Sequence, residues 1–365
     1  MKLPAFEDLS KEQDLIYNLD LDGNYLVSGP PGTGKSVMAL YRAQALTIDD
    51  RQPAILMFSK VLCQYTEQAA KEIGVAGYVT TFHKWLWAFW RQHYRTNPAT
   101  MTGSTYDPDW AQLTQKFLTN PPVPGLLTDL LVDEGQDLSL SFFRIARYVA
   151  KNITVFADEN QQLHDHNTTL REIETGIGAR EHLTLRRNYR NTAEIAAVAA
   201  TYYAGAPTGI PETPTRHGDK PTLRRYDTID DFVDHITRYV TARTNLTIGV
   251  ACLNQTTQRR LYRALTTRNL PIPVQHYISR RGRAPLEFDG PAVTLINPKS
   301  LKGLEFDTLF VPELQQETAD TTSAATRMKY YVVMSRARDE LHLSWSGRPD
   351  TPDIVADLDQ LVQRS

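Results

Sequence analysis

Short runs of β-branched and other apolar residues alternate along the whole chain with stretches whose apolar positions recur at helical spacing. This rhythm predicts βα units built around parallel sheets. In the first half the strand-like runs fall at residues 25–28, 54–58, 78–80, 130–132 and 153–157, and in the second at 248–252, 292–296, 308–311 and 341–345. Helical spacing at 256–267 and 327–338 fills two of the later intervals. The expectation is an α/β fold with one mainly parallel sheet in each half. Gly176 and Gly178 mark a break, and Asn191 with Glu194 has the spacing of a helix capping box, so the domains are expected at 1–182 and 183–365. Two stretches fit the rhythm poorly. Residues 85–124, rich in aromatics, proline and threonine, read as a small inserted lid, and residues 204–221 as a linker or surface loop.

Composition narrows the class without naming a function. A chain of 365 residues exceeds what one core usually serves, and 41% hydrophobic with 22% charged residues is a globular balance rather than a disordered or fibrous one. No apolar run approaches the roughly 20 residues that a membrane helix needs, and the opening MKLPAFEDLSKEQ lacks the apolar core of a signal peptide. The sequence thus predicts no membrane association and a cytoplasmic location. Cys63 and Cys252 are the only cysteines and fit no metal-binding or disulfide spacing, so both read as buried thiols. The net charge of −2 conceals −6 over residues 1–182 and +4 over the rest. A polyanion lying against the second half fits this asymmetry, and ordinary solvated charge fits it more simply.

The candidate chemistry begins after the first strand-like run. Gly29-Pro30-Pro31-Gly32-Thr33-Gly34-Lys35-Ser36 satisfies G-x-x-x-x-G-K-S/T, follows NYLVS and opens the helical run VMALYRAQAL. Glycines let backbone N–H groups close on phosphates, Lys35 neutralises β and γ oxygens, and the Ser36 hydroxyl is a Mg²⁺ ligand. The run Leu130-Leu131-Val132 ends in Asp133 and Glu134. Asp133 suits the Mg²⁺ shell, and Glu134 suits a general base that takes a proton from the attacking water. ATP and Mg²⁺ are therefore the expected ligands, and ATP hydrolysis the expected reaction.

The string Asp133-Glu134-Gly135-Gln136-Asp137 resembles the second motif of superfamily 1 helicases of the UvrD and Rep type. Further matches follow in that family's order: Gln13 in LSKEQ, Thr81-Phe82-His83, residues 157–161 reading ADENQ, Asn188-Tyr189-Arg190, residues 302–307 reading KGLEFD, and residues 331–337 reading YVVMSRA. The resemblance implies two RecA-like P-loop NTPase domains with ATP in the cleft between them. It implies that Gln13 reads adenine, Tyr189 stacks on the base, Glu305 faces the ribose, and Gln161 senses the γ-phosphate. Arg190 and Arg336 become arginine fingers, which stabilise charge on the transferring phosphoryl group.

Departures from the family pattern bear on the nucleic-acid track. Thr81, Phe82 and His83 occupy a motif position for strand contact, whereas the neighbouring Trp85, Trp87, Phe89 and Trp90 read as core. Lys299 stands where the family usually has histidine, and Leu163-His164-Asp165-His166 stands where it commonly has stacking aromatics. The large inserted subdomains of the family have no room in this chain. The resemblance implies an ATP-dependent helicase or translocase moving 3′ to 5′ on single-stranded DNA, and no residue distinguishes DNA from RNA. The missing insertions favour an alternative, an ATPase switch that regulates a partner protein, such as a nuclease, in a repair or defence assembly.

Overall fold

In the computed structural model, residues 3–158, 168–205, 209–278, 286–347 and 350–364 are described. The chain divides into two compact units: residues 1–30 with 34–186, and residues 31–33 with 187–365. Each unit is a parallel sheet flanked by helices, which is the α/β class that the alternating pattern predicts.

The first sheet contains β1 (Asn24–Ser28), β2 (Ala54–Met57), β3 (Val79–Thr81), β4 (Leu127–Val132), β5 (Ala150–Ala157) and β6 (Glu181–Thr184), in the order β3-β2-β4-β5-β1-β6. All its pairings are parallel. Its helices are α1 (Lys11–Tyr17), α2 (Lys35–Ile48), α3 (Lys60–Glu72), α4 (Phe82–Tyr94), α5 (Trp110–Thr119), α6 (Leu140–Val149) and α7 (Leu170–Ile177). Central strands covered on both faces must be apolar almost continuously, and the last four residues of β1 and of β4 are all buried. One apolar cluster joins α4, α5, α6 and α7 to the sheet, and a second joins α1 and α2 to it.

The second unit contains α8 (Ala193–Thr201), β7 (Thr222–Tyr226), α9 (Ile229–Ala242), β8 (Thr247–Ala251), α10 (Gln255–Thr266), β9 (Val274–His276), β10 (Ala292–Ile296), α11 (Pro298–Leu301), β11 (Phe306–Val311), α12 (Ala324–Met334), β12 (Ala337–Ser346) and β13 (Gln363–Arg364). Its strand order is β13-β7-β12-β11-β8-β10-β9, again with parallel pairings throughout. Helix α9 shows why the core forms here. Ile229, Phe232, Val233, Ile236, Tyr239 and Val240 recur at helical spacing and are buried, and Thr228 with Asp231 forms a capping box at its start.

Several local expectations are corrected. The helix expected over 327–338 stops at Met334, with Ser335 as its C-cap, and Ala337 already opens β12. Tertiary pairing of β12 with β11 and β7 claims those residues. The cap of α8 is Thr192, whose hydroxyl accepts from Ile195 N, rather than Asn191. Asn191 is buried and instead donates to the carbonyls of Ser335, at 3.2 Å, and Ala337, at 2.5 Å. The stretch expected to stand apart as a lid supplies α4 and α5, whose Leu86, Phe89, Trp90, Leu113 and Phe117 are part of the first unit's core. Its aromatics thus pack as the helical spacing of the tryptophans suggests. Strands β6, β7, β9 and β13 are short or edge-lying and carry no strong apolar run.

Candidate nucleotide site

The order β4-β5-β1 brings three strand C-terminal ends side by side, the place where open parallel sheets carry ligands. Ser28 pairs with Ala157, and Val132 with Val155, so the loops that begin at Gly29, Asp133 and Asp158 leave the sheet at one level. Gly32 and Gly34 have φ of 87° and 91°, a left-handed backbone that an L side chain rarely adopts. Gly34 is also the N-cap of α2, and no side chain caps that helix. The first-turn N–H groups of a 14-residue helix are therefore left for an anion.

Lys35 is 6% exposed; its Nζ donates to the carbonyls of Gly29 at 2.5 Å and Pro30 at 3.0 Å and pairs with Asp158 at 3.5 Å. Ser36 Oγ donates to Asp133 Oδ2 at 2.6 Å. Burial first, and the adjacent Glu134 second, push the Asp133 carboxyl up to about 7, against the pull of Ser36 and Lys35. A cation beside Ser36 would relieve exactly this cost, and a hydroxyl with a carboxylate is an oxygen donor set suited to Mg²⁺. Among the described residues no group of three or more His, Cys, Asp and Glu could hold a metal ion. Such a site suits an ion that keeps phosphate and water in most of its shell.

Glu134 is buried and sits at φ 54°, ψ 43°, a left-handed conformation uncommon for a side chain of this size. The turn is braced by Gln136, which sequence reading placed within the motif without giving it a role. Gln136 Nε2 donates to Glu134 Oε2 at 2.5 Å, and Gln136 Oε1 accepts from Asp158 N at 2.9 Å. Its backbone carbonyl accepts from Thr168 N at 3.0 Å. Gln136 thus ties the carboxylate to the end of β5 and to the approach to α7. The only signal in the sequence was the fixed two-residue interval after Glu134.

Gln13 is buried, forms a reciprocal cap with Ser10, and lies where a Cβ at Gly34 would be 2.7 Å from its Nε2. It therefore stands against the P-loop. Thr81 caps α4 through a bond to Lys84 N, and Phe82 is 2% exposed, stacked on Trp110 at 6.1 Å between ring centres. Phe82 cannot present its ring to a nucleic-acid base while this packing holds, which corrects the strand contact expected at its motif position. His83 is half-buried against Phe58, Trp87 and Tyr106, and burial holds its imidazole below the usual histidine range. Gln161 and the histidines after it lie outside the described residues.

In the second unit Tyr189 is 40% exposed, with the Arg187 guanidinium 5.5 Å from its ring centre. Arg190 Nε pairs with Glu305 Oε2 at 3.0 Å. Burial alone would raise the Glu305 carboxyl, but positive charge, above all that of Arg190, holds it at about 2. Arg336 is 1% exposed and donates from Nε to the Val332 carbonyl at 2.9 Å. Lys299 is exposed on α11.

A model of the AAA domain family AAA_19 matches residues 16–166, a little under half of the chain. No curated protein matches. Among solved structures, the crystal structure of the C-terminal domain of a possible DNA helicase from Lactobacillus plantarum WCFS1 is similar at 22% identity, covering 48% of this chain and 98% of its own. The TM-score is 0.37, too low for the likeness to carry weight. No described helix is long and apolar enough to cross a membrane. The matched stretch contains the P-loop, both acids and Gln136, and residues 16–166 are thus similar to a P-loop, helicase-like NTPase domain that binds nucleotide.

Proposed function

We propose that the protein is an ATP-hydrolysing nucleic-acid motor of the UvrD and Rep type, translocating 3′ to 5′ on single-stranded DNA. The observation that carries ATP hydrolysis is the convergence of Lys35, Ser36, Asp133 and Glu134 from the ends of β1 and β4, on either side of β5. Lys35 would exchange its carbonyl partners for the β and γ oxygens of ATP, and Ser36 with Asp133 would hold Mg²⁺, which would supply positive charge to the phosphate oxygens. Glu134 takes the proton of the attacking water, and Gln136 fixes the carboxylate that does so. Following the resemblance, Gln13 and Tyr189 take the base, Glu305 the ribose, Gln161 the γ-phosphate, and Arg190 and Arg336 the charge of the transferring group. Thr81, His83 and Lys299 are assigned to the strand.

A second reading, an ATPase switch acting on a partner protein, is favoured by the burial of Phe82, which removes one expected strand contact. The two are separated by measuring ATP turnover with and without single-stranded DNA, RNA and duplex, with Lys35→Ala and Glu134→Gln as controls. Stimulation by single strands supports the motor. Turnover indifferent to every nucleic acid and raised by a partner protein overturns it.

A further inference from the structure

Helices α6 and α7 enclose a depression of about 480 Å³ on the first unit, lined by Arg144, Arg147, Arg171, Glu172, Leu140 and Gly176 among others. Gly176 lets the helices approach closely, since a Cβ there would lie 3.0 Å from Leu140 Cδ1 and 3.1 Å from Phe143 Cβ. Arg144 and Arg147 are one turn apart on α6, and Arg171 stands across from them in the first turn of α7. None of the three has an ion-pair partner among the described residues. Arg147 is seated over the end of α7, where a Cβ at Gly178 would meet its Cζ at 2.6 Å.

The one acid at the depression is already engaged. Glu172 Oε2 accepts from Thr169 N at 2.9 Å and Thr169 Oγ1 at 2.8 Å, closing the capping box of α7. Three guanidinium groups against the single carboxylate of Glu172 leave an excess of positive charge, a local positive field in a half of the chain with a net charge of −6. Among the described residues the lining has no aromatic ring to read a base and only Leu140 to receive an apolar side chain. Such a surface suits a ligand that offers repeated phosphate oxygens and needs no sequence readout.

We propose that this depression holds the phosphodiester backbone of a single-stranded nucleic acid and couples its presence to hydrolysis. The coupling runs through hydrogen bonds at the approach to α7. Thr168, just before α7, donates from N to the Gln136 carbonyl at 3.0 Å and from Oγ1 to the Leu138 carbonyl at 2.5 Å, and Gln136 holds Glu134. A strand bridging Arg171 to Arg144 clamps α7 against α6 and thereby steadies the turn that carries the general base. The inference rests on the motor reading above, and it adds a strand contact outside the motif positions.

The test compares wild type with Arg144→Gln/Arg171→Gln, which leaves Arg147 in its packed position. Binding of a labelled oligothymidylate is followed by fluorescence anisotropy over a series of salt concentrations. The variant is expected to bind roughly 10-fold more weakly, with a slope of log affinity against log salt smaller by about 1.4, the value for two lost phosphate contacts on a single strand. Its ATP turnover without nucleic acid stays at the wild-type level, and its stimulation by the strand falls. Unchanged affinity and salt slope in a variant with normal unstimulated turnover overturn the inference and leave the motor reading standing. A variant that loses poly-glutamate binding while keeping the oligothymidylate also overturns it, assigning the depression to an acidic protein segment. Wild type that binds no single strand at all defeats the motor reading and this inference together.

Discussion

At the scale of single residues, the nucleotide site is a balance of buried charge. Glu134→Gln keeps the hydrogen-bonding shape but removes the base, so nucleotide affinity should persist while turnover falls by roughly 10²- to 10⁴-fold in steady-state kinetics. Gln136→Ala removes a brace rather than a reacting group, and a loss in turnover of about 10-fold at unchanged nucleotide affinity is expected. A wild-type rate in Gln136→Ala would show that the left-handed turn holds Glu134 without it. Glu305 gives a prediction in pH. Its carboxyl lies at about 2 in the folded protein against an ordinary 4.5, so the native state binds fewer protons than the unfolded chain between these values. The stabilisation is complete above about pH 4.5 and is lost as pH falls through about 2. Chemical denaturation should find Glu305→Gln less stable than wild type at pH 7 by about 3 kcal/mol, with the gap closing toward pH 2.

At the scale of elements, the two sheets repeat one device. β4 ends two residues before Glu134, which is at φ 54°, ψ 43°, followed by a short 3-10 turn at Gly135–Asp137. β11 ends two residues before Glu313, which is at φ 60°, ψ 40°, followed by a 3-10 turn at Leu314–Gln316. Each acid is held by a glutamine two residues later, Gln136 in one and Gln315, at 3.1 Å, in the other. In the second unit the acid also accepts from Ser346 Oγ at 2.5 Å and Gln316 Nε2 at 3.1 Å, and Gln316 in turn receives Asn254 and Thr257 at the start of α10. Without a P-loop beside it, this copy serves as a hub for three strand ends. Glu313→Ala should lower stability by about 1–3 kcal/mol in urea unfolding, because buried donors lose their acceptor. The aromatic helix α4 was partly legible. Helical spacing identified its tryptophans as core, but nothing in residues 85–124 indicated that α5 folds back to complete that core.

At the scale of the molecule, two units with separate apolar clusters carry unequal chemistry, and Lys35, Ser36, Asp133 and Glu134 all lie in the first. In scanning calorimetry, ADP at 100 times its Kd should add about 2.7 kcal/mol to the stability of the first unit, and Lys35→Ala should abolish the shift. The sequence by itself determined the α/β class, the P-loop and its paired acids. Those rest on local rules: strand-like runs buried on both faces, glycines where the backbone must turn left-handed, and a lysine and serine at a helix start. Tertiary structure decided the rest. Burial of Phe82 follows from α5 folding back, the Arg190–Glu305 pair joins residues far apart in the chain, and the end of α12 was set by β12 pairing with its neighbours. The role of Gln136 was decided in the same way, because two of its partners, Asp158 and Thr168, lie beyond β5 and reach it only once β5 has paired beside β4. Spacing along a chain encodes periodicity and turns, whereas a hydrogen bond between distant segments exists only once the sheet has fixed which strand ends are neighbours.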